Sequence, residues 1–475
     1  MLKAILKSKP GKQIIQFLDT GLMIGVFLGI LVIANLIIAK IPWTYDMTVT
    51  KIYTLSDQTQ KVLAGLKQKI TVVLFAPEGK TDRMIRTLLE EYQKAGHGMI
   101  ELMTIDAEKN PALAKKYDQN NQGIANGNIV FECDGKVKKI NPFELVTPSE
   151  YGSVFNGEQY FTGAIISLTA LKFQKVYFLE GHRELGMSEN FSKFTGRIES
   201  EAHIALPLNL LKTNEMPDDA EVIVVAAPKR DLTQTELMAL YHFFKKGGRG
   251  IFLFDILSAE THLPNFAHLL RDYGISIRNN FVVEEDSESF YANNKLQLVP
   301  EYASHNIVTK LKSENLYVFL PYAGNIQILK DRDASVMIEP LLQSTSKSWI
   351  RYQVKDTRPN QTALDQSGPA NLAVAVTKDN GELKYRETKL VIVYNAKFAM
   401  DEMLDIQGNY DFMMNALSWV EDKPDSLALR PKMLDTNRMY VKGPQYVLLM
   451  MIAVLLIPSF AFGAGLVVWL RRRHL

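Results

Sequence analysis

The chain has 475 residues and a single cysteine, Cys133. A lone thiol excludes an intramolecular disulfide, a Cys-x-x-Cys redox pair and a thiolate zinc site. In the apolar run 128–133 it reads as a small core residue. An excess of one charge is missing as well. Lys and Arg number 54 against 52 Asp and Glu, a net of +2, so the basic stripe of a nucleic-acid surface is absent and no nucleic-acid partner is expected. Nucleotide-binding loops are also lacking. Gly79-Lys80-Thr81 stands between a strand pattern and a helix pattern, as the end of a phosphate loop would. That loop needs a glycine five positions before Gly79, and position 74 is leucine. There is no Gly-x-Ser-x-Gly elbow, no His-Glu-x-x-His and no Gly-x-Gly-x-x-Gly after a strand. These absences point away from an ATPase, a serine hydrolase, a zinc peptidase and a dinucleotide enzyme. The reading is a non-catalytic protein without a cofactor or metal site.

Long apolar runs occur only at the ends. Residues 21–39 are apolar apart from Asn35, and 446–470 are interrupted by Pro458. About 20 apolar residues at 1.5 Å each cross a hydrocarbon core of ~30 Å, so both runs read as transmembrane helices. The first is too long for a signal peptide, and Ala39-Lys40-Ile41-Pro42-Trp43 is a poor cleavage context. Lys3, Lys7, Lys9 and Lys12 precede the first run, and Arg471-Arg472-Arg473 follow the second. By the positive-inside bias both termini face the cytoplasm. The expectation is a two-pass protein of the bacterial inner membrane, in contact with lipid, with its bulk extracytoplasmic. Gly21, Gly25 and Gly29 share one helix face, and Ala461 and Gly465 repeat the small-residue spacing. Both suit close packing against a partner membrane subunit.

The segments expected are a cytoplasmic stretch 1–20, the helix 21–39, a domain 42–150, a second domain 151–425, a connecting arm 426–445, the helix 446–470 and a tail 471–475. In the first domain, Ser56 caps a helix through Leu66. Strands at Ile70–Phe75, Met99–Ile105, Asn128–Cys133 and Lys136–Ile140 alternate with helices at Thr81–Ala95 and Pro111–Asp118. Asp134-Gly135 signals a tight hairpin turn. This β-α-β-α-β-β order is thioredoxin-like, without the redox cysteines. In the second domain, strands Lys175–Leu179, Ala220–Ala226 and Gly250–Asp255 alternate with helices Gly157–Leu171, Asn190–His203 and Thr233–Lys246. That alternation implies a doubly wound parallel sheet. The pattern blurs from 287 to 370, as an insertion would. It then resumes with strands Asn371–Thr377 and Lys389–Tyr394 and the helix Tyr410–Trp419.

Ligands of such sheets sit at the carboxyl ends of the strands, here near His182, Pro228 and Asp255. Gly181-His182-Arg183-Glu184 follows a strand, with Glu180 beside it and Glu158 nearby in sequence. Glu158, His182 and Glu184 form the candidate ligand or partner site. A His and a Glu at a strand end can bind a ligand or exchange protons. The plainer alternative is a tight turn whose polar side chains hydrogen-bond the loop.

Four stretches together resemble one family. They are Asp46-Met47-Thr48 through Lys51-Ile52-Tyr53-Thr54-Leu55-Ser56, Asn156-Gly157-Glu158 to Gly181-His182-Arg183-Glu184, the strand-helix-strand stretch Ala220–Asp255, and Gly408-Asn409-Tyr410 through Asn415-Ala416-Leu417-Ser418-Trp419 to the terminal arginines. The chain resembles the GldG-like auxiliary components of ABC-type transport systems associated with gliding motility, although that family often has Gly where Arg183 stands. The resemblance implies an accessory or substrate-engaging subunit working with a separate ABC ATPase and a multi-helix permease. It also implies a class I amidotransferase-like (flavodoxin-like) fold for the second domain. The amidotransferase nucleophile would be a cysteine after a strand, and 220–255 contains none, so that activity is not implied. The alternatives are a free-standing envelope scaffold or sensor, and an envelope hydrolase or transferase acting through Glu158, His182 and Glu184.

Overall fold

A computed structural model describes residues 46–434 except 47, 49, 78, 119–122, 150–151, 171–172, 357, 359, 382–386 and 424–431, with scattered positions within 21–36 and 451–470. Residues Met1–Lys51 and Ile52–Leu475 form two separate compact units. The second unit holds the four-stranded and the eight-stranded sheets.

Its first part is a four-stranded sheet built from β1 (Ile70–Phe75), β2 (Ile100–Ile105), β3 (Ile129–Cys133) and β4 (Lys136–Ile140), in the order β2-β1-β3-β4. β1 and β2 run parallel, joined through the helix α1 (Arg83–Ala95), while β3 is antiparallel to both β1 and β4. α1 starts where Asp82 accepts hydrogen bonds from the Met84 and Ile85 N–H groups. Asp134 and Gly135 take φ of 49° and 79°, the left-handed pair that a two-residue hairpin with the strands' own twist requires. α2 (Gly157–Thr169) lays Phe161, Ala164, Ile165 and Leu168 into the same apolar cluster as Ile70, Val72 and Phe131. Beside it, β5 (Val146–Ser149) and β6 (Gly152–Phe155) form a hairpin.

The second part is an eight-stranded sheet. β7 (Gln174–Leu179), β8 (His203–Leu208), β9 (Val222–Ala226) and β10 (Arg249–Leu253) are mutually parallel where they pair, in the order β10-β9-β7-β8. Beyond β10 follow β14 (Thr388–Val393), β13 (Asn371–Lys378), β12 (Val336–Gln343) and β11 (Glu301–Tyr302). Alternating residues of β9 serve opposite cores. Val222, Val224 and Ala226 join one cluster, with Phe194, Ile307 and Phe412, whereas Ile223 and Val225 join the other, with Leu237, Phe244 and Phe266. Burial on both faces accounts for the unbroken apolar run VIVVA. At the amino ends of the strands, Glu421 accepts from His203 Nε2 at 2.9 Å, and Asp422 pairs with Arg249 and Lys389.

Two expectations are corrected. The doubly wound parallel domain is a mixed sheet: β10 and β14 are parallel, but β13 is antiparallel to β14, β12 to β13 and β11 to β12. Only residues 379–387 separate β13 from β14, too few for the crossover that a parallel pair needs. The architecture is therefore mixed α/β rather than doubly wound throughout. The two transmembrane helices, and with them the two-pass inner-membrane placement with cytoplasmic termini, are likewise not retained: among the described residues no helix is long and apolar enough to cross a membrane. A crossing takes about 20 continuous helical residues, and α1 and α2, at 13 residues each, fall short. Most of 21–39 and 446–470, and all of 1–20 and 471–475, lies outside the described residues.

Candidate functional site

The chain order β7, β8, β9, β10 becomes the spatial order β8-β7-β9-β10. After β7 the chain steps outward to β8, then returns to the other side of β7 as β9. The loops leaving β7 and β9 thus diverge at a topological switch point, where open α/β sheets form a crevice. Here the crevice mouth is laced by main chain. The Leu185 N–H donates to Ala226 O, and the Lys229 and Arg230 N–H groups both donate to His182 O, each at 2.9 Å. Gly181 (φ 123°) makes the turn out of β7, and Arg183 (φ 59°) and Ala227 (φ 50°) also sit in left-handed backbone.

His182 lies beneath this rim, 2% exposed. Its Nδ1 is 2.9 Å from Glu184 Oε1, and its Nε2 is 3.1 Å from Glu236 Oε2. The His182 backbone N–H donates to Glu184 Oε2 at 2.6 Å. The ring stands edge-on to Phe266, with centroids 6.2 Å apart. Glu236 comes from the first turn of α3 (Gln234–Lys245), where it completes a capping box: Thr233 N–H and Oγ1–H both donate to its Oε2 at 2.8 Å. Burial by itself disfavours the imidazolium of His182. The hydrogen bonds and charges of Glu184 and Glu236 outweigh it, and the group is raised above its ordinary value. Glu236 moves the opposite way: burial pushes it up, and the Thr233 donors and His182 bring it net below the usual carboxylate range. With a carboxylate on each ring nitrogen, His182 acts as a two-proton donor. Neither lone pair is left for a metal or for proton abstraction.

Asp255 follows β10 and receives the Ile256 N–H at 2.9 Å. Burial raises its carboxyl, opposed by Lys397 beyond β14, by the Ile256 N–H, and by Lys229 beyond β9. Arg183, Lys229, Arg230 and Lys397 are exposed. Lys397 Nζ lies 5.2 Å from the centroid of the Tyr322 ring. The rim therefore sets the half-buried Asp255 carboxylate among exposed cations.

The sequence candidates divide. His182 and Glu184 come together as one cluster, and Glu236 joins them. Glu158 belongs to a different set of contacts. It is buried at the start of α2, where its Oε1 accepts the Ser56 N–H at 2.6 Å and its Oε2 the Lys432 ammonium at 2.7 Å. Burial pushes Glu158 up, but Lys432 and Ser56 hold it net below the usual carboxylate range. A Cβ placed on Gly21, Gly25, Gly29 or Gly465 meets no atom within 4 Å, and Ala461 lies outside the described residues. Sequence reading missed Glu236, Lys229 and Lys397. Only Glu236 carried a signal, the Thr233-x-x-Glu236 capping pattern. Among the described residues, no group of three or more His, Cys, Asp or Glu side chains could hold a metal ion.

Residues 174–416 match the family model described as "ABC-type uncharacterized transport system", and residues 49–147 match a domain of unknown function. No curated protein matches the chain. Among solved structures, the chain is similar to one titled "mmIFT52 N-terminal domain", with 15% identity, TM-score 0.40, and coverage of 54% of this chain and 99% of that one. It is also similar to the exo-beta-1,4-mannosidase Op5Man5 from Opitutaceae bacterium strain TAV5, with 13% identity, TM-score 0.24, and coverage of 73% of this chain and 49% of that one. At these scores neither likeness bears on function.

Proposed function

Because the chain belongs to the ABC-type uncharacterized transport system family, we propose that it is a non-catalytic accessory subunit of an ABC transport complex, working with a separate ATP-hydrolysing subunit and a multi-helix permease. The observation that carries this reading is the family match over 174–416, which takes in all eight strands of the large sheet from β7 to β14. The chemistry of the chain agrees with it. The sequence holds no phosphate loop, and both nitrogens of its best-placed histidine are engaged by carboxylates. The contact surface we assign is the rim at the carboxyl ends of the parallel strands, where Arg183, Lys229, Asp255 and Lys397 meet solvent or the edge of the core. In this reading the rim engages a substrate or the permease, and the buried His182 cluster holds its loops in place. The motif resemblance read from the sequence supports assigning the complex to the gliding-motility-associated branch of such systems.

The test is purification of a tagged copy from detergent-solubilised cells of its source, followed by mass spectrometry of what remains bound. Recovery of an ABC ATPase and a permease in fixed ratio is the expected result. Recovery of this chain alone, while other membrane complexes survive the same detergent, overturns the reading.

A further inference from the structure

The strand β15 (Lys432–Leu434) adds antiparallel to β6, with Lys432 opposite Phe155, Met433 opposite Val154 and Leu434 opposite Ser153. Side chains alternate along a strand, so Lys432 and Leu434 share one face. Both are received by fitted surroundings. The Lys432 ammonium donates to Glu158 Oε2 at 2.7 Å and to Thr54 O at 2.6 Å. Leu434 packs against the apolar cluster that holds Ile70, Phe131, Phe155 and Phe161. Glu158 is 4% exposed, and its other oxygen is taken by the Ser56 N–H. Lys432 is thus the cation that compensates a buried carboxylate, and a buried charge stripped of its partner is strongly unfavourable.

Three residues of strand hold weakly by main chain alone. What fixes this segment is a sheet edge for its backbone, an anionic pocket for its first side chain and an apolar one for its third. That combination is how sheet edges recognise extended peptides: main-chain bonds hold the strand, and pockets for alternate side chains select it. We propose that the edge of β6, with Glu158, the Thr54 carbonyl and the adjoining apolar cluster, is a strand-accepting groove selective for an extended Lys-x-Leu segment, occupied in this structure by the chain's own residues 432–434. Glu158 is the specificity-determining residue of the groove, and the chain's own strand and the same segment supplied in trans compete for it. The inference stands apart from the transport reading, because every group in it lies outside 174–416.

The experiment uses the full chain carrying Lys432→Ser and Leu434→Ser, which removes both anchoring side chains, and a fluorescent peptide with the sequence of residues 430–436. Hydrogen exchange at 153–155 reports whether the edge is vacated, and exchange at β1 serves as the folding control. The expected result is exchange at 153–155 faster by about tenfold or more, with β1 unchanged. The peptide then binds the double variant saturably, and binding is lost when its lysine is replaced by serine or when Glu158→Gln is added to the protein. An opened edge that does not take up the peptide overturns the proposal, as does binding indifferent to the lysine. Should β1 also lose protection, the milder Lys432→Gln variant decides. Faster exchange confined to 153–155 supports the groove, and unchanged exchange there overturns it.

Discussion

At the scale of single residues, His182 is the position where charge and burial are most tightly linked. Its imidazolium lies between Glu184 and Glu236, and both carboxylate partners are almost fully buried. His182→Ala leaves two buried carboxylates without their shared donor, and we expect a loss of about 3–5 kcal/mol in unfolding free energy, measured by urea denaturation at pH 6. The pH dependence has a definite sign. A histidine raised above its ordinary value of 6.5 in the folded state contributes stability that is fully present below 6.5 and is lost as pH rises through the raised folded value. The gap between wild type and His182→Ala therefore narrows in alkaline solution; a gap that widens from pH 6 to pH 9 counters the clamp. Legibility was uneven at this scale. His182 and Glu184 stood out because a Gly-His-x-Glu run after a strand is chemically loaded. Their third partner, Glu236, lies 54 residues from His182 and looked like an ordinary capping-box residue, which it also is. Glu158 seemed to belong with the histidine by closeness in sequence, but it begins a helix whose apolar side faces the smaller sheet.

At the scale of elements, Arg351 ties down part of the stretch 287–370, where the sequence pattern blurs. Its guanidinium is 1% exposed and donates to both Asp365 oxygens at 3.0 and 2.7 Å and to the carbonyls of Asp356, Arg358 and Asn360. It also lies 4.5 Å over the Trp349 ring. Arg351→Met removes all of these at once and leaves the Asp365 carboxylate without its cation. We expect proteolytic cleavage within 353–365 and a stability loss of about 3 kcal/mol, followed by limited trypsinolysis and urea unfolding. The Arg351 guanidinium lowers Asp365 from the ordinary 3.8 to about 2, so this contribution is present above pH 3.8 and fades as pH falls through about 2. Resistance of the variant loop to protease equal to wild type counts against the anchor. Some elements announced themselves fully: Ile70–Phe75 and Lys136–Ile140 have the bounds that alternation and turn chemistry gave. β8 did not, because HIALPL carries Pro207 and reads as a break. Proline is tolerated there because β8 is the outermost strand of the sheet, where a missing N–H costs no ladder bond on the open side. β12 was hidden for a related reason: Pro340 falls beside a register shift in its pairing with β13.

At the scale of the whole molecule, the large sheet is most deeply protected at its middle. Val222–Ala226 and Ile251–Leu253 are at most 2% exposed and have a paired strand on both sides. β8 and β11 each have one neighbour. Native-state hydrogen exchange should therefore be slowest in β9 and β10, near the limit set by global unfolding, and faster in β8 and β11. Slowest exchange at either edge strand would contradict the layering of the two cores around this sheet. The same layout bears on the rim. Loops carrying His182, Lys229 and Asp255 leave three adjacent central strands, so their spacing is fixed by the stiffest part of the protein.

The sequence by itself determined the local elements, the absence of nucleotide and zinc motifs, and the family resemblance. Each of these depends on residues a few positions apart, through alternation, capping, turn chemistry and motif spacing. Tertiary structure decided the rest. Strand direction at β13 followed from a connection too short for a crossover. The burial of His182 between carboxylates of different elements, and the seating of Lys432 on Glu158, depend on side chains far apart in the chain. Such partnerships are set by which buried charges must find compensation once the cores have closed, and no local pattern encodes that.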